Sequence, residues 1–213
     1  GNDLTAQGAA LSGASVALTA QTGAVAADGA SITARDELDV SSKGDIGLTD
    51  AELSTTGAAV SLSSAEDAVD LSGMQTLAGS RIAIEAGRDV VFNEKQTVTA
   101  SDGDLAVQAG GSIAAEGIAA TATGSLTLSA AGGNNLAGAT LSNGGALVLR
   151  AGTVREGSSE NELNLTRVVN NGADPGTFSG TSVTLETSGS LVMDAQKATT
   201  VKACLLYTSD AAD

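Results

Sequence analysis

Three aspartates, Asp45, Asp67 and Asp89, recur at intervals of 22 residues, with Lys43 and Arg88 beside them. Carboxylates gathered with basic groups on one face are what polysaccharide-cleaving enzymes use, and a carboxylate ladder is also a place for a divalent cation. Stacked at about 4.8 Å, like charges repel by about 1 kcal/mol in water and by about 3–4 kcal/mol at an effective dielectric of 20. An exposed turn tolerates that, no calcium-loop motif accompanies the series, and the preferred reading is a solvated turn. The rest of the usual chemistry is missing. The chain has no histidine, which removes His-based triads, His-metal sites and the common general base near neutral pH. Its one cysteine, Cys204, supports neither thiol catalysis nor structural zinc. The Gly-Gly-Asn-Asn stretch within 131–135 matches neither a phosphate-cradling loop nor a dinucleotide fingerprint and reads as a turn. No catalytic, cofactor-binding or metal-ligating residue is assigned, and no enzyme activity is expected.

The elements that would position any such groups are set by a repeat. An aliphatic pair separated by one residue returns eight times: Val16/Leu18, Leu38/Val40, Val60/Leu62, Ile82/Ile84, Leu105/Val107, Leu126/Leu128, Leu147/Leu149 and Val183/Leu185. The first members lie 22, 22, 22, 23, 21, 21 and then 36 residues apart. Each pair alternates with small or polar neighbours, the period-two pattern of a strand with one face buried. Both members of every pair are therefore expected in stacked core columns. A small residue follows two places later (Ala20, Ser42, Ser64, Ala86, Ala109, Ala130, Ala151, Thr187). A second aliphatic comes after most anchors at Val25, Ile46, Val69, Val90, Ile113, Leu136, Val154 and Leu191, and a third at Ile32, Leu53, Leu77, Val98, Ile118, Leu141 and Val201. Phe92 is expected to pack in the core or a turn. Each period is therefore three short strands joined by Gly-, Asn-, Asp- and Ser-rich turns.

A helical solenoid fails because the segments are short, glycine-broken and alternate with period two. The leucine-rich and calcium-roll signatures are not reproduced. What remains is an all-β fold, a parallel β-helix of about 22 residues per coil, in which equivalent residues stack in columns. A lone coil buries too few side chains to hold itself together, so neighbours must share one core and pair each other's backbone groups. Eight or nine coils give a rod on the order of 40 Å long.

The rhythm divides the chain into coils over 1–154, an irregular insertion or shortened coil over 155–179, and a last coil over 180–203. Within the insertion, Leu163 and Leu165 are expected to pair on the stack while 170–178 bulges outward. A loop projecting from a rigid rod is a place for recognition residues, here Asn170, Asn171, Asp174, Pro175 and Phe178, although a tolerated insertion without a role fits equally. The chain opens in mid-coil, with Leu4 and Leu11 where second- and third-column residues belong, and is read as an internal fragment. Residues 204–213 resemble translated sequencing-library adaptor; alternatively Leu205 and Tyr207 begin a further coil.

A net charge of −15 with no run of Lys or Arg disfavours nucleic acid and anionic membranes as partners. Apolar runs are too short for a membrane-spanning helix, so direct membrane insertion is not expected. Threonines are scattered rather than set in regular Thr-x-Thr rows, which argues against an ice-binding solenoid. Segments 44–49 (Gly-Asp-Ile-Gly-Leu-Thr), 82–92, 103–113 (Gly-Asp-Leu-Ala-Val-Gln-Ala-Gly-Gly-Ser-Ile) and 124–130 (Gly-Ser-Leu-Thr-Leu-Ser-Ala) resemble filamentous-haemagglutinin repeats. The likeness covers roughly 1–154 and 180–203. It implies a right-handed β-helix serving as the shaft of a large adhesin or contact-dependent inhibition protein. It further implies two-partner secretion through an outer-membrane transporter, display on a Gram-negative cell, and a receptor or glycan on a host or neighbouring cell. Those repeats supply no catalytic residues. The alternative is a carbohydrate-active β-helix enzyme or a phage tailspike-like polysaccharide-binding protein.

Overall fold

The alternation of buried and exposed residues along each strand requires a closed, shared interior. A computed structural model shows that interior, and its description covers residues 2–55, 57–152, 162–172, 175, 177–180, 182–187, 191–193, 200–203 and 206–207. The chain is an all-β parallel solenoid of about seven turns, successive turns about 22 residues apart. Every strand pairing is parallel and joins one coil to the next. No helix occurs among the described residues.

Three long sheets run along the axis, and a fourth, two-stranded sheet pairs Thr177–Gly180 with Thr200–Ala203. In the first, register places Val16 on Leu38, then on Val60, Ile82, Leu105, Leu126, Leu147 and Val183. The second members form a column of their own, with Leu18 on Val40, then Leu62, Ile84, Val107, Leu128, Leu149 and Leu185. From Leu38 to Leu149 both members of every pair are buried, Val40, Leu62, Ile84 and Val107 almost completely. The expectation that every pair is full core needs correcting at the two ends of the stack. Val16 and Leu185 are only partly buried, and Leu18 keeps 8% of its surface exposed. At the first end the cause is missing cover, since the strand of Val16 and Leu18 is the edge of its sheet. The side chain of Val183 itself lies outside the described residues.

Leu4 and Leu11, on the same one-sided first coil, are also partly buried. The last described strand, Leu206–Tyr207, sets Leu206 rather than Leu205 on Val183. The small residue after each pair turns the corner, where Ala20, Ala86, Ala109, Ala130 and Ala151 are buried. Ser42 and Ser64 fill the same place and both donate a hydroxyl to Gly44 O, at 2.5 and 2.7 Å.

The second sheet stacks Leu4, Val25, Ile46, Val69, Val90, Ile113, Asn134, Leu163 and Leu191. Asn134, not Leu136, holds the column, so Asn134–Asn135 is a strand and the reading of 131–135 as a turn is corrected. Leu136 is buried two places on, equivalent to Leu71 and Phe92 in earlier coils. Val154 lies outside the described residues. In the third sheet Ala120, not Ile118, is in register with Val98 and Leu141; Ile118 fills the corner before it and is buried.

The corner between the second and third sheets repeats one backbone conformation. Positive φ occurs there at Gly8, Gly29, Asp50, Gly73, Lys95, Gly117, Gly138 and Arg167. All but Gly117 lie at the third place of a tight turn closed by a backbone bond of the type Ala30 N to Ala27 O, 3.1 Å, or Ala139 N to Leu136 O, 2.9 Å. That geometry asks for glycine, and three coils place a side chain there instead. A Cβ on Gly29 would meet no atom within 4 Å, so Gly29→Ala isolates the conformational cost and should destabilise by about 1 kcal/mol. Lys95→Gly should gain up to about 1 kcal/mol. Urea unfolding followed by circular dichroism checks both, and a less stable Lys95→Gly variant would contradict the turn assignment.

Candidate functional site

Aspartates at the corners fasten coils together. Asp3 Oδ1 accepts the backbone N–H of Ala24 at 3.0 Å, Asp45 that of Ala68 at 3.0 Å, and Asp89 that of Ser112 at 2.7 Å. All three lie at the corner entering the second sheet. Asp28 does the same for Thr49 at 3.0 Å at the next corner, and Asp104 for Ser125 at 2.6 Å at the corner entering the first sheet. At a corner the strand ladder lapses and backbone donors need another partner; a carboxylate of the neighbouring coil supplies it as a charge-assisted bond. A Cβ on Gly23, Gly111 or Gly124 would collide with the Oδ1 of Asp3, Asp89 or Asp104. An Asp followed one coil later by Gly-Ala or Gly-Ser was therefore a readable signal.

Asp45, Asp67 and Asp89 do not form one column. Register pairs Ile46 with Val69 and Val69 with Val90, so the residue between Asp45 and Asp89 is Ala68, and Asp67 falls one place short. Equal spacing in sequence conceals one longer and one shorter coil. Along this corner the order is Asp3, Ala24, Asp45, Ala68, Asp89, Ser112, so no carboxylate is stacked directly on another and the repulsion expected of a ladder does not arise. Asp67 instead faces Arg88 at 3.8 Å, and Lys43 faces Glu66 at 3.4 Å, both largely exposed and worth at most about 1 kcal/mol each. Among the described residues no group of three His, Cys, Asp or Glu is placed to hold a metal ion.

The insertion is divided between two corners. Leu163 and Leu165 are on the stack as expected, Leu163 pairing with Asn134 and Leu191 in the second sheet rather than with Leu147 in the first. Extra residues lie both between Ala151 and Leu163 and between Asn170 and Val183. Of the recognition candidates, Asn170 and Phe178 are fully buried and unavailable to a partner. Asn171 is exposed, Pro175 is half-buried, and Asp174 lies outside the described residues. Asn170 ends the third-sheet strand Val169–Asn170, and the chain resumes as Thr177–Gly180, on which Thr200–Ala203 pairs.

Side-chain amides replace the ladder across that break. Asn170 Nδ2 donates to Asn143 Oδ1 at 2.9 Å and to Leu141 O at 3.3 Å, while Ser179 N donates to Asn170 Oδ1 at 2.6 Å. Asn143 N donates to Asn171 Oδ1 at 2.8 Å, and Asn171 Nδ2 donates to Ser179 O at 3.0 Å. Two other buried amides are only partly satisfied. Asn134 Nδ2 reaches Leu128 O and Arg150 O, at 3.0 and 3.1 Å, and Gln96 Oε1 accepts Asn93 N at 3.0 Å. Asn134 Oδ1 and Gln96 Nε2 have no protein partner.

An open groove of about 630 Å³ runs across four coils where the first sheet ends. Ser63, Glu85, Gln108 and Ser129 line it in register over a floor of Ala and Gly. Glu85 is its one titratable lining residue, which lacks the second carboxyl of a glycosidase pair. No family model, no curated protein and no solved structure matches the chain.

Two outcomes follow from the fastening groups. Asp89→Ala should destabilise by about 1 kcal/mol, with Asp89→Asn, which keeps an acceptor, closer to the parent in urea unfolding. Asn170→Leu restores an aliphatic to the column yet strands Ser179 N and Asn143 Oδ1, so it should cost about 2 kcal/mol; a neutral or stabilising Asn170→Leu would show that the amide network does not bridge the break.

Proposed function

We propose that the chain is a structural and adhesive shaft segment of a large secreted surface protein, with no chemistry of its own. The observation that carries this reading is the unbroken parallel register from Val16 to Val183, which makes a rigid rod that reach requires. The commitment of the corner aspartates to coil-to-coil bonds supports it, since those groups are engaged in holding the rod. The resemblance of segments 44–49, 82–92, 103–113 and 124–130 to haemagglutinin repeats adds the setting: export through an outer-membrane two-partner transporter, display on a Gram-negative cell, and contact with a receptor or glycan on a host or neighbouring cell. The strongly acidic surface is consistent with these partners and not with nucleic acid.

The test is one of reach. The chain is placed between an outer-membrane anchor and a fluorophore, with and without one complete coil, residues 82–104. Removing that coil should bring the fluorophore nearer to the cell by about 4.8 Å, and removing three coils by about three times as much. A reach that ignores coil number sinks the shaft reading.

A further inference from the structure

The threonines that look scattered along the sequence are gathered by the fold onto one face. Strand alternation in the third sheet turns Val98 and Ala100 into the core and Thr97 and Thr99 outward. Register then sets Thr76, Thr97, Ala119 and Thr140 in one outer rank. Ala78, Thr99, Thr121 and Ser142 form a second rank beside it. Six of these eight positions carry a hydroxyl, the other two are alanine, and none is charged, on a chain with net charge −15. On the two preceding coils the equivalent positions are Ser31, Thr33, Glu52 and Ser54, so the uncharged array begins at Thr76. Among the described residues none of these hydroxyls has a protein hydrogen-bond partner, whereas the first-sheet hydroxyls of Thr19 and Ser41 bond each other at 3.2 Å.

The chemistry of this face selects its occupant. Over the four coils from Thr76 to Thr140 and four residues of width it covers roughly 250 Å², about a third of the ~800 Å² per partner of a stable protein interface, so a second copy is a poor fit. It bears no cation for a phosphate or an acidic lipid. It bears no aromatic ring on which a sugar could stack, because Phe92 and Phe178 are buried in the core. What it does offer is a two-dimensional array of hydroxyls that each donate and accept a hydrogen bond. Neighbours stand about 4.8 Å apart along the axis and about 6.6 Å apart along the strand. The threonines hold few rotamers, so the array is stiff, and their methyl groups separate the hydroxyls with apolar surface. Water bonded to such a lattice is held at fixed intervals of the same scale as the oxygen spacings of ice. We propose that the outer face of the third sheet is an ice-binding surface.

The test uses the full 213-residue chain in an ice-recrystallisation assay. The parent should arrest grain growth at micromolar concentration. Thr99→Lys and Thr121→Lys put a charge in the centre of the array and should raise the required concentration at least tenfold, while their circular dichroism and melting temperature match the parent. Ala83→Lys, exposed on the first sheet, should leave the activity unchanged. Parent protein that leaves grain growth unaffected overturns the proposal, and so does an equal loss in Ala83→Lys. Retention of the chain on insoluble cellulose or chitin, abolished by Thr99→Lys without any effect on ice, would also overturn it and assign the face to a glycan.

Discussion

A closed lumen one side chain deep governs this molecule. Each inward residue touches chiefly its equivalents in the coils above and below and the facing sheets, so a column position accepts only what its neighbours leave room for. That is why Val, Leu and Ile fill the first and second sheets and why Ala or Ser turns each corner. Between Leu147 and Val183 the strands Leu163–Leu165 and Val169–Asn170 stay on the stack. Where the chain resumes after Asn170, ladder bonds are missing, and the amides of Asn143, Asn170 and Asn171 take their place.

The architecture was legible because it rests on period-two alternation and on a recurrence too regular to miss. The pairs beginning at Val16 and Leu18 mark one inward stripe, and no local detail changes which way they face. Pattern alone gives direction but not cover, so it treats Val16 like Ile82 although only the latter has a strand on both sides. What escaped depends on register between coils, which sequence spacing approximates only to within a residue. Asp45, Asp67 and Asp89 are evenly spaced, yet compensating coil lengths put Ala68 between the first and last. Asn134 was hidden by its neighbours, since Gly-Gly-Asn-Asn is ordinary turn composition and only the pairing with Ile113 places it in the wall. The left-handed corner was partly visible in Gly8, Gly29, Gly73, Gly117 and Gly138, and obscured where Asp50, Lys95 and Arg167 take the same conformation. The insertion is polar, but polarity there reflects backbone repair at Asn170 as much as exposure.

The sides of the rod differ in character. At the corners, Asp3, Asp28, Asp45, Asp89 and Asp104 hold neighbouring coils together. The first sheet mixes charged and polar groups and borders the groove at Glu85 and Gln108. The outer third sheet is uncharged and rich in free hydroxyls. A repeat that conserves the lumen leaves each outer row free to vary independently, so one scaffold can present several unrelated surfaces along its length.

The alternation of Asp3, Asp45 and Asp89 with small residues has a consequence for how such a rod can grow. Its natural brick is a pair of coils, one bearing the carboxylate and one accepting it. Gain or loss of a single coil beside Asp45 would lay acid on acid or leave a donor uncovered, whereas a step of two restores the bond pattern. From Asp3 to Ser112 a change of length by two coils therefore keeps every carboxylate bond, and a change by one does not.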